Sequence, residues 1–98
     1  MAEFIEDTIF INNTAIQTFL IKLPHANLIL AVAPKGIIMC GYMDIDVAQK
    51  LNDAAGIVSG VKTVKELLEK PIVKLTVQAE KLGVRIGLSG EEALRLMV

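Results

Sequence analysis

The first forty or so residues set short apolar, β-branched runs between turn residues, and this pattern predicts strands. Thr8 to Ile11 is β-branched and aromatic. Asn12-Asn13 follows, and both residues tolerate positive φ, so a tight hairpin is expected there. Thr14 to Leu23 is the return strand. It places Gln17, Phe19 and Ile21 on one face and Ile16, Thr18 and Leu20 on the other. Both faces are apolar near residues 19–21, where a strand with one solvated face would alternate. The second face of this strand is therefore expected to be covered, with a second subunit as the candidate cover. Pro24-His25 breaks the strand, and Asn27 to Ala33 is a continuous apolar run suited to a central strand. Pro34-Lys35-Gly36 has the chemistry of a turn, and Ile37 to Tyr42 completes another hairpin. Residues 8–42 thus read as a four-stranded antiparallel meander.

The second half changes period. Asp44 or Asp46 can cap a helix running to about Asn52, with Val47, Ala48 and Leu51 inward. Ala55 to Val61 is small and apolar, the pattern of a buried strand. Thr63-Val64-Lys65-Glu66 has the form of a capping box, in which the Thr hydroxyl accepts from the N3 amide and Glu66 reaches back. Its helix stops before Pro71. Ile72-Val73 reads as a brief strand. Leu75, Ala79 and Leu82 then recur at helical spacing up to Gly83. Ser89-Gly90-Glu91-Glu92 is a second capping box, opening a C-terminal helix with Ala93, Leu94 and Met97 inward. The result is an α+β domain over residues 1–98, with a β region over about 1–43 and a mixed α/β region over 44–98.

Composition sharpens the question of partners. Of the 98 residues 53% are hydrophobic, above the usual ~45–50%, in a chain too short to bury a large core. No apolar run approaches the ~18 residues of a membrane span. The acidic start, Met1 to Asp7, lacks the basic region of a signal peptide. The surplus apolar surface therefore points to a subunit interface in the N-terminal β region, that is, to a homo-oligomer. Ten basic and eleven acidic residues leave a net charge of −1, with no basic stripe for nucleic acid. Four aromatics make a poor base-stacking platform. One cysteine excludes an internal disulfide and a multi-cysteine zinc site, and a lone thiol suits the cytoplasm. No cofactor or metal signature is present.

Three groups of residues carry candidate chemistry. Gly56-Ile57-Val58-Ser59-Gly60-Val61-Lys62-Thr63 approximates a phosphate-binding loop, but its second Gly comes one residue early and puts Val61 where backbone must approach phosphate. Ser59, Gly60, Lys62 and Thr63 retain a simpler possibility, an anion held at a helix N-terminus, against the plain reading of a strand followed by a capped helix. Cys40, next to Gly41-Tyr42, is either a nucleophile needing a nearby base or cation or a buried small hydrophobe. His25 is the only histidine. If residue 40 stands opposite about residue 30, His25 lies beyond direct reach of the thiol. Asp44 and Asp46 read as helix-capping acids rather than metal ligands. Asp53, between a helix and an apolar strand, would need a partner if buried, and Lys62 is the candidate. Cys40, Tyr42, Asp53 and Lys62 converging on one cleft would make a small enzyme or thiol-dependent binder.

Two blocks, Gly36-Ile37-Ile38-Met39-Cys40-Gly41-Tyr42-Met43 and Leu51-Asn52-Asp53-Ala54-Ala55-Gly56-Ile57-Val58-Ser59-Gly60-Val61-Lys62-Thr63, resemble the YunC-like family of small bacterial and archaeal proteins of unknown function. The likeness extends from Pro24-His25-Ala26-Asn27-Leu28 to the closing Gly87-Leu88-Ser89-Gly90-Glu91-Glu92-Ala93-Leu94. The resemblance implies a two-layer α+β domain and a tetramer-like assembly built through the N-terminal β region. It implies no assigned activity and transfers no catalytic residue. The leading expectation is an oligomeric structural or ligand-binding module.

Overall fold

The computed structural model describes residues 3–98, which form six strands and four short helices. In chain order these are β1 (Phe4–Ile11), β2 (Thr14–Lys22), β3 (Asn27–Ala33), β4 (Gly36–Cys40), α1 (Ile45–Lys50), β5 (Ala55–Val58), α2 (Val64–Glu69), β6 (Lys74–Leu75), α3 (Val77–Lys81) and α4 (Gly90–Arg95). All six strands join one sheet in sequence order. The first four are antiparallel, as the turn chemistry predicts. Asn12 and Asn13 both have positive φ, 51° and 63°, the geometry of a primed two-residue hairpin turn. β1 starts at Phe4, four residues earlier than expected, because Phe4 to Asp7 continue the ladder opposite Thr18 to Ile21. The acids Glu6 and Asp7 concealed that extension from a reading of β propensity.

β5 then pairs parallel with β4, Ile37 opposite Ala55 and Cys40 opposite Val58. A parallel pair requires a crossover, and α1 supplies it. Asp44 is its cap, accepting from the Asp46 amide at 2.9 Å. Only Ala48 of α1 is buried, packed with Met39, Ala55 and Ile57. Val47 and Leu51, expected to face inward, are exposed. One six-residue helix lying over two strands has room for a narrow contact line and no more.

The main core lies on the other side of the sheet. Ile16, Ile29, Ile38 and Val58 project from the strands and meet Leu67 of α2, Ala79 of α3, and Leu94 and Met97 at the C-terminal end. Ile72, between α2 and β6, completes it. Ile72-Val73 is not itself a regular strand. The Ile72 amide donates to the Leu88 carbonyl at 2.7 Å and the Val73 amide to the Ile57 carbonyl at 2.8 Å. This divided bonding delays the ladder until Lys74–Leu75. Leu75 therefore belongs to β6, and α3 starts after Thr76. The Thr76 hydroxyl accepts from the Ala79 amide as cap, accepts from the Ala55 amide at 3.0 Å and donates to the Asp53 carbonyl at 2.7 Å. This buried side chain joins the start of β5 to the start of α3.

α2 and α4 cross at unusually close range. A Cβ built on Gly90 would overlap the Leu67 carbonyl, so the helices meet backbone to side-chain-free backbone. The Gly90 amide also donates to the Lys70 carbonyl at 3.1 Å. Because backbone cannot swing aside as a side chain can, Gly90→Ala is expected to cost about 3 kcal/mol and to lower the melting temperature by more than about 10 °C. Thermal denaturation followed by circular dichroism checks this.

Candidate functional site

In sheets with parallel strands, ligands settle beyond the carboxyl ends of the strands, where the loops diverge. Here that edge is formed by Gly41-Tyr42-Met43 leaving β4 and Ser59-Gly60 leaving β5. Tyr42, 53% exposed, stands between two concavities. One, of about 280 Å³, is lined by Asn27, Cys40, Gly41, Tyr42 and Gly60. The other, of about 400 Å³, has Tyr42, Asp44, Asp46, Ser59 and Lys74 around Met43, Ile45, Ile57 and Val73. Its lining combines apolar side chains with hydroxyls and charges of both signs. Among the described residues, Asp46 and Lys74 make no ion pair.

Cys40 is buried, at 3% exposure. The Ile29 amide donates to its sulfur at 3.3 Å, and the thiol lies 4.0 Å from the Asn27 carbonyl. The β3–β4 ladder pairs Leu30 with Met39, so Cys40 comes level with residue 29 rather than 30. Its thiol takes the place of the next ladder bond. His25 is exposed in the β2–β3 turn, and among the described residues the thiol's partners are backbone groups. This is the buried, structural cysteine.

Lys62 and Asp53 do not meet. Asp53 precedes β5 and Lys62 follows it, so the strand's length, roughly 13 Å, separates them. Asp53 instead lies at the opposite end of the sheet, in a third concavity of about 320 Å³ with Pro34, Gly36 and Asn52. The expected cleft of Cys40, Tyr42, Asp53 and Lys62 therefore does not form. Only Tyr42 and the lining atoms of Cys40 share a concavity, and Lys62 is exposed with its carbonyl accepting from Asn27 Nδ2 at 2.8 Å.

The anion site at Ser59 to Thr63 is occupied by the chain itself. Thr63 caps α2, accepting from the Glu66 amide at 3.1 Å. Glu66 reaches back one residue beyond the standard box and accepts from the Lys62 amide at 2.9 Å. Lys70 donates to the Gly60 carbonyl at 2.7 Å and lies 3.6 Å from Glu66. The carboxylate thus stands where an external anion would need to be, and the Lys62 amide, aided by Lys70, holds it below its ordinary pKa of 4.5. Ser89 and Glu92 form the second box in full, and the Ser89 amide and hydroxyl lower Glu92 likewise.

Sequence reasoning passed over Asn27, Lys74 and Thr76. Asn27 ties β3 to the β5–α2 loop across 35 residues of chain, a contact with no local signature. Thr76 had a cap hydroxyl as its signal, but no acid at N3 to complete a box. Among the described residues no three His, Cys, Asp or Glu side chains gather as a metal site, and no helix is long and apolar enough to cross a membrane.

A mixed sheet with a single helical crossover on one face and three helices on the other defines a small α+β domain. The chain belongs to the family described as domain of unknown function (DUF1805), whose pattern matches residues 39–97. It is 38% identical over 82 residues to the uncharacterized protein YunC of Bacillus subtilis, covering 80% of this chain and 81% of that one. A crystal structure of a protein of unknown function from Thermoplasma acidophilum superposes with a TM-score of 0.94 at 29% identity, covering 99% of this chain and 95% of that one. The shared fold therefore includes the N-terminal strands that the family pattern leaves out.

Two measurements test these assignments. Cys40 is expected to react with iodoacetamide at neutral pH at least about a hundredfold more slowly than in denaturant, because modification waits on local opening. A rate equal to the unfolded one contradicts its burial. For the caps, both folded-state pKa values lie below 4.5, so their stabilisation is present above that pH and lost as pH falls through the lowered values. The Glu66→Gln/Glu92→Gln variant should be less stable than the native chain at pH 7. The gap should narrow as pH falls below 4.5, measured by urea denaturation at each pH.

Proposed function

We propose that this protein is a self-associating cytoplasmic module that carries a small-ligand crevice at the Tyr42 end of its sheet. The observation behind the self-association is the sheet face opposite the main core. Over β1 to β3 the alternation puts Phe4, Phe10, Phe19, Ile21, Leu30 and Val32 on this face. No helix covers them, since α1 lies over β4 and β5. Phe4 and Phe19 pack with ring centroids 6.1 Å apart and planes tilted by 33°, and Glu6, held by Gln17 at 3.3 Å, is the face's charge on these strands. An apolar surface of this extent, depleted of charge and centred on aromatics, has the composition of an interface core. Pairing of dimers built on it would give the tetramer-like assembly that the family resemblance implies. The free thiol in place of a disulfide accords with a reducing compartment.

The crevice reading rests on its position at the strand carboxyl ends and on its mixed apolar and polar lining. It does not extend to catalysis, because the candidate nucleophile is buried and the candidate acid lies at the far end of β5.

Light scattering on a size-exclusion column is expected to give a multimer at tens of micromolar. Phe19→Glu, at the centre of the face, should reduce the mass to that of one chain with an unchanged circular dichroism spectrum. A native chain that runs as a monomer at high micromolar concentration overturns the proposal.

A further inference from the structure

The open face is not flat, and its shape restricts how a second copy can sit on it. α1 stands on the same side of the sheet, over β4 and β5, and rises about 10 Å above it, the thickness of one packed layer. The face is therefore a step, with β1–β3 as its floor and α1 as its riser.

The riser is apolar on the side that matters. Gln49 accepts from the Val77 amide at 2.9 Å, which turns this flank of α1 toward β6 and α3. Val47 and Leu51 lie two residues to either side of Gln49, hence about 160° around the helix from it at 3.6 residues per turn. They face the floor of the step. Leu51 is 67% exposed and Phe10, on β1, is 71% exposed, the two highest values among the exposed large hydrophobic residues described.

A two-fold axis running across the strands would stack α1 on α1 and hold the two sheets about 20 Å apart, twice the ordinary spacing. A two-fold axis running along the strands avoids this. It lays β1–β3 of each copy in the step of the other and brings the riser of each copy against the bare edge of the other's β1. Such an axis preserves height along the strands. Thr8, Gln17, Val32, Ile37 and Ala55 lie in one row across the sheet, and Leu51 sits just before the start of β5. Leu51 of one copy is thereby set level with Thr8 to Phe10 of the other.

We infer that the occupant of the step is a second copy of this chain, seated so that Leu51 of α1 in each packs on Phe10 of β1 in the other. This inference rests on the self-association proposed above and specifies its geometry. Area supports it. The floor measures roughly 15 by 25 Å in plan, about half of the ~800 Å² per partner of a stable interface, so the two α1–β1 contacts are needed to add to it. Charge supports it too. Pairing two β1 edges directly would bring Glu6 and Asp7 close to their own copies, which is unfavourable. Seating α1 there instead covers an otherwise open edge strand and brings Lys50, which makes no ion pair among the described residues, to the acidic edge.

The test is cysteine trapping in the full chain. Within one copy, positions 10 and 51 are separated by at least three strand spacings, roughly 14 Å, beyond the ~7 Å that a disulfide can bridge. Under mild oxidation Leu51→Cys/Phe10→Cys is expected to give a covalent dimer on a non-reducing gel, while each single variant stays monomeric there. Leu51→Lys, at a position exposed in the single copy, should raise the dimer dissociation constant at least tenfold with no loss of secondary structure. A native chain that is multimeric by light scattering, with neither a trapped dimer nor a Leu51→Lys effect, overturns this geometry and leaves self-association standing. A monomeric native chain overturns both.

Discussion

The parallel pairing of β4 with β5 is the constraint on which the rest of the structure depends. The preceding strands are joined by short turns and need nothing beyond their own neighbours. A parallel partner cannot be reached by a hairpin, so the chain must cross over the sheet. With α2, α3 and α4 on one face, the crossover helix takes the other. That placement fixes three things together. It leaves β1–β3 bare beside α1, it sends two loops out at the same end of the sheet around Tyr42, and it puts Asp53 and Lys62 at opposite ends of β5.

Much of this fold was legible in the chain because its signals are local. The paired asparagines at 12 and 13, the Pro34-Lys35 turn and the hydroxyl–acid spacing at Ser89 and Glu92 each specify a geometry within four residues. What was not legible depends on partners far away in sequence. Nothing in Ala55 to Val58 says that its neighbour is parallel rather than antiparallel. Nothing around Leu75 says that a two-residue ladder with Gly56 and Ile57 outweighs helical spacing. Val47 and Leu51 fit an inward stripe, and they are exposed because α1 meets the sheet along one line. The candidate site failed for the same reason. Asp53 and Lys62, close in sequence, are divided by β5 itself.

The two cysteine readings differed by a single fact, burial, and the structure supplies a reason for that burial beyond packing. The sulfur accepts the Ile29 amide where the β3–β4 ladder would otherwise lose a bond. A buried amide left without a partner is costly, so the thiol serves as a backbone-bonding group at the strand's end. The loop at Gly60 is similarly committed. Its carbonyl is held by Lys70 and the amide of Lys62 by Glu66, so the groups that would recognise an anion are already engaged with one another.

The hydroxyl of Thr76 has a consequence for how the molecule opens. One oxygen serves the amide of Ala55, the carbonyl of Asp53 and the amide of Ala79. Unwinding of α3 that carries Thr76 away from the sheet therefore also releases the amide that begins β5. Two segments that look separable, a five-residue helix and the entry to the central parallel strand, are joined through this one oxygen and are expected to open together.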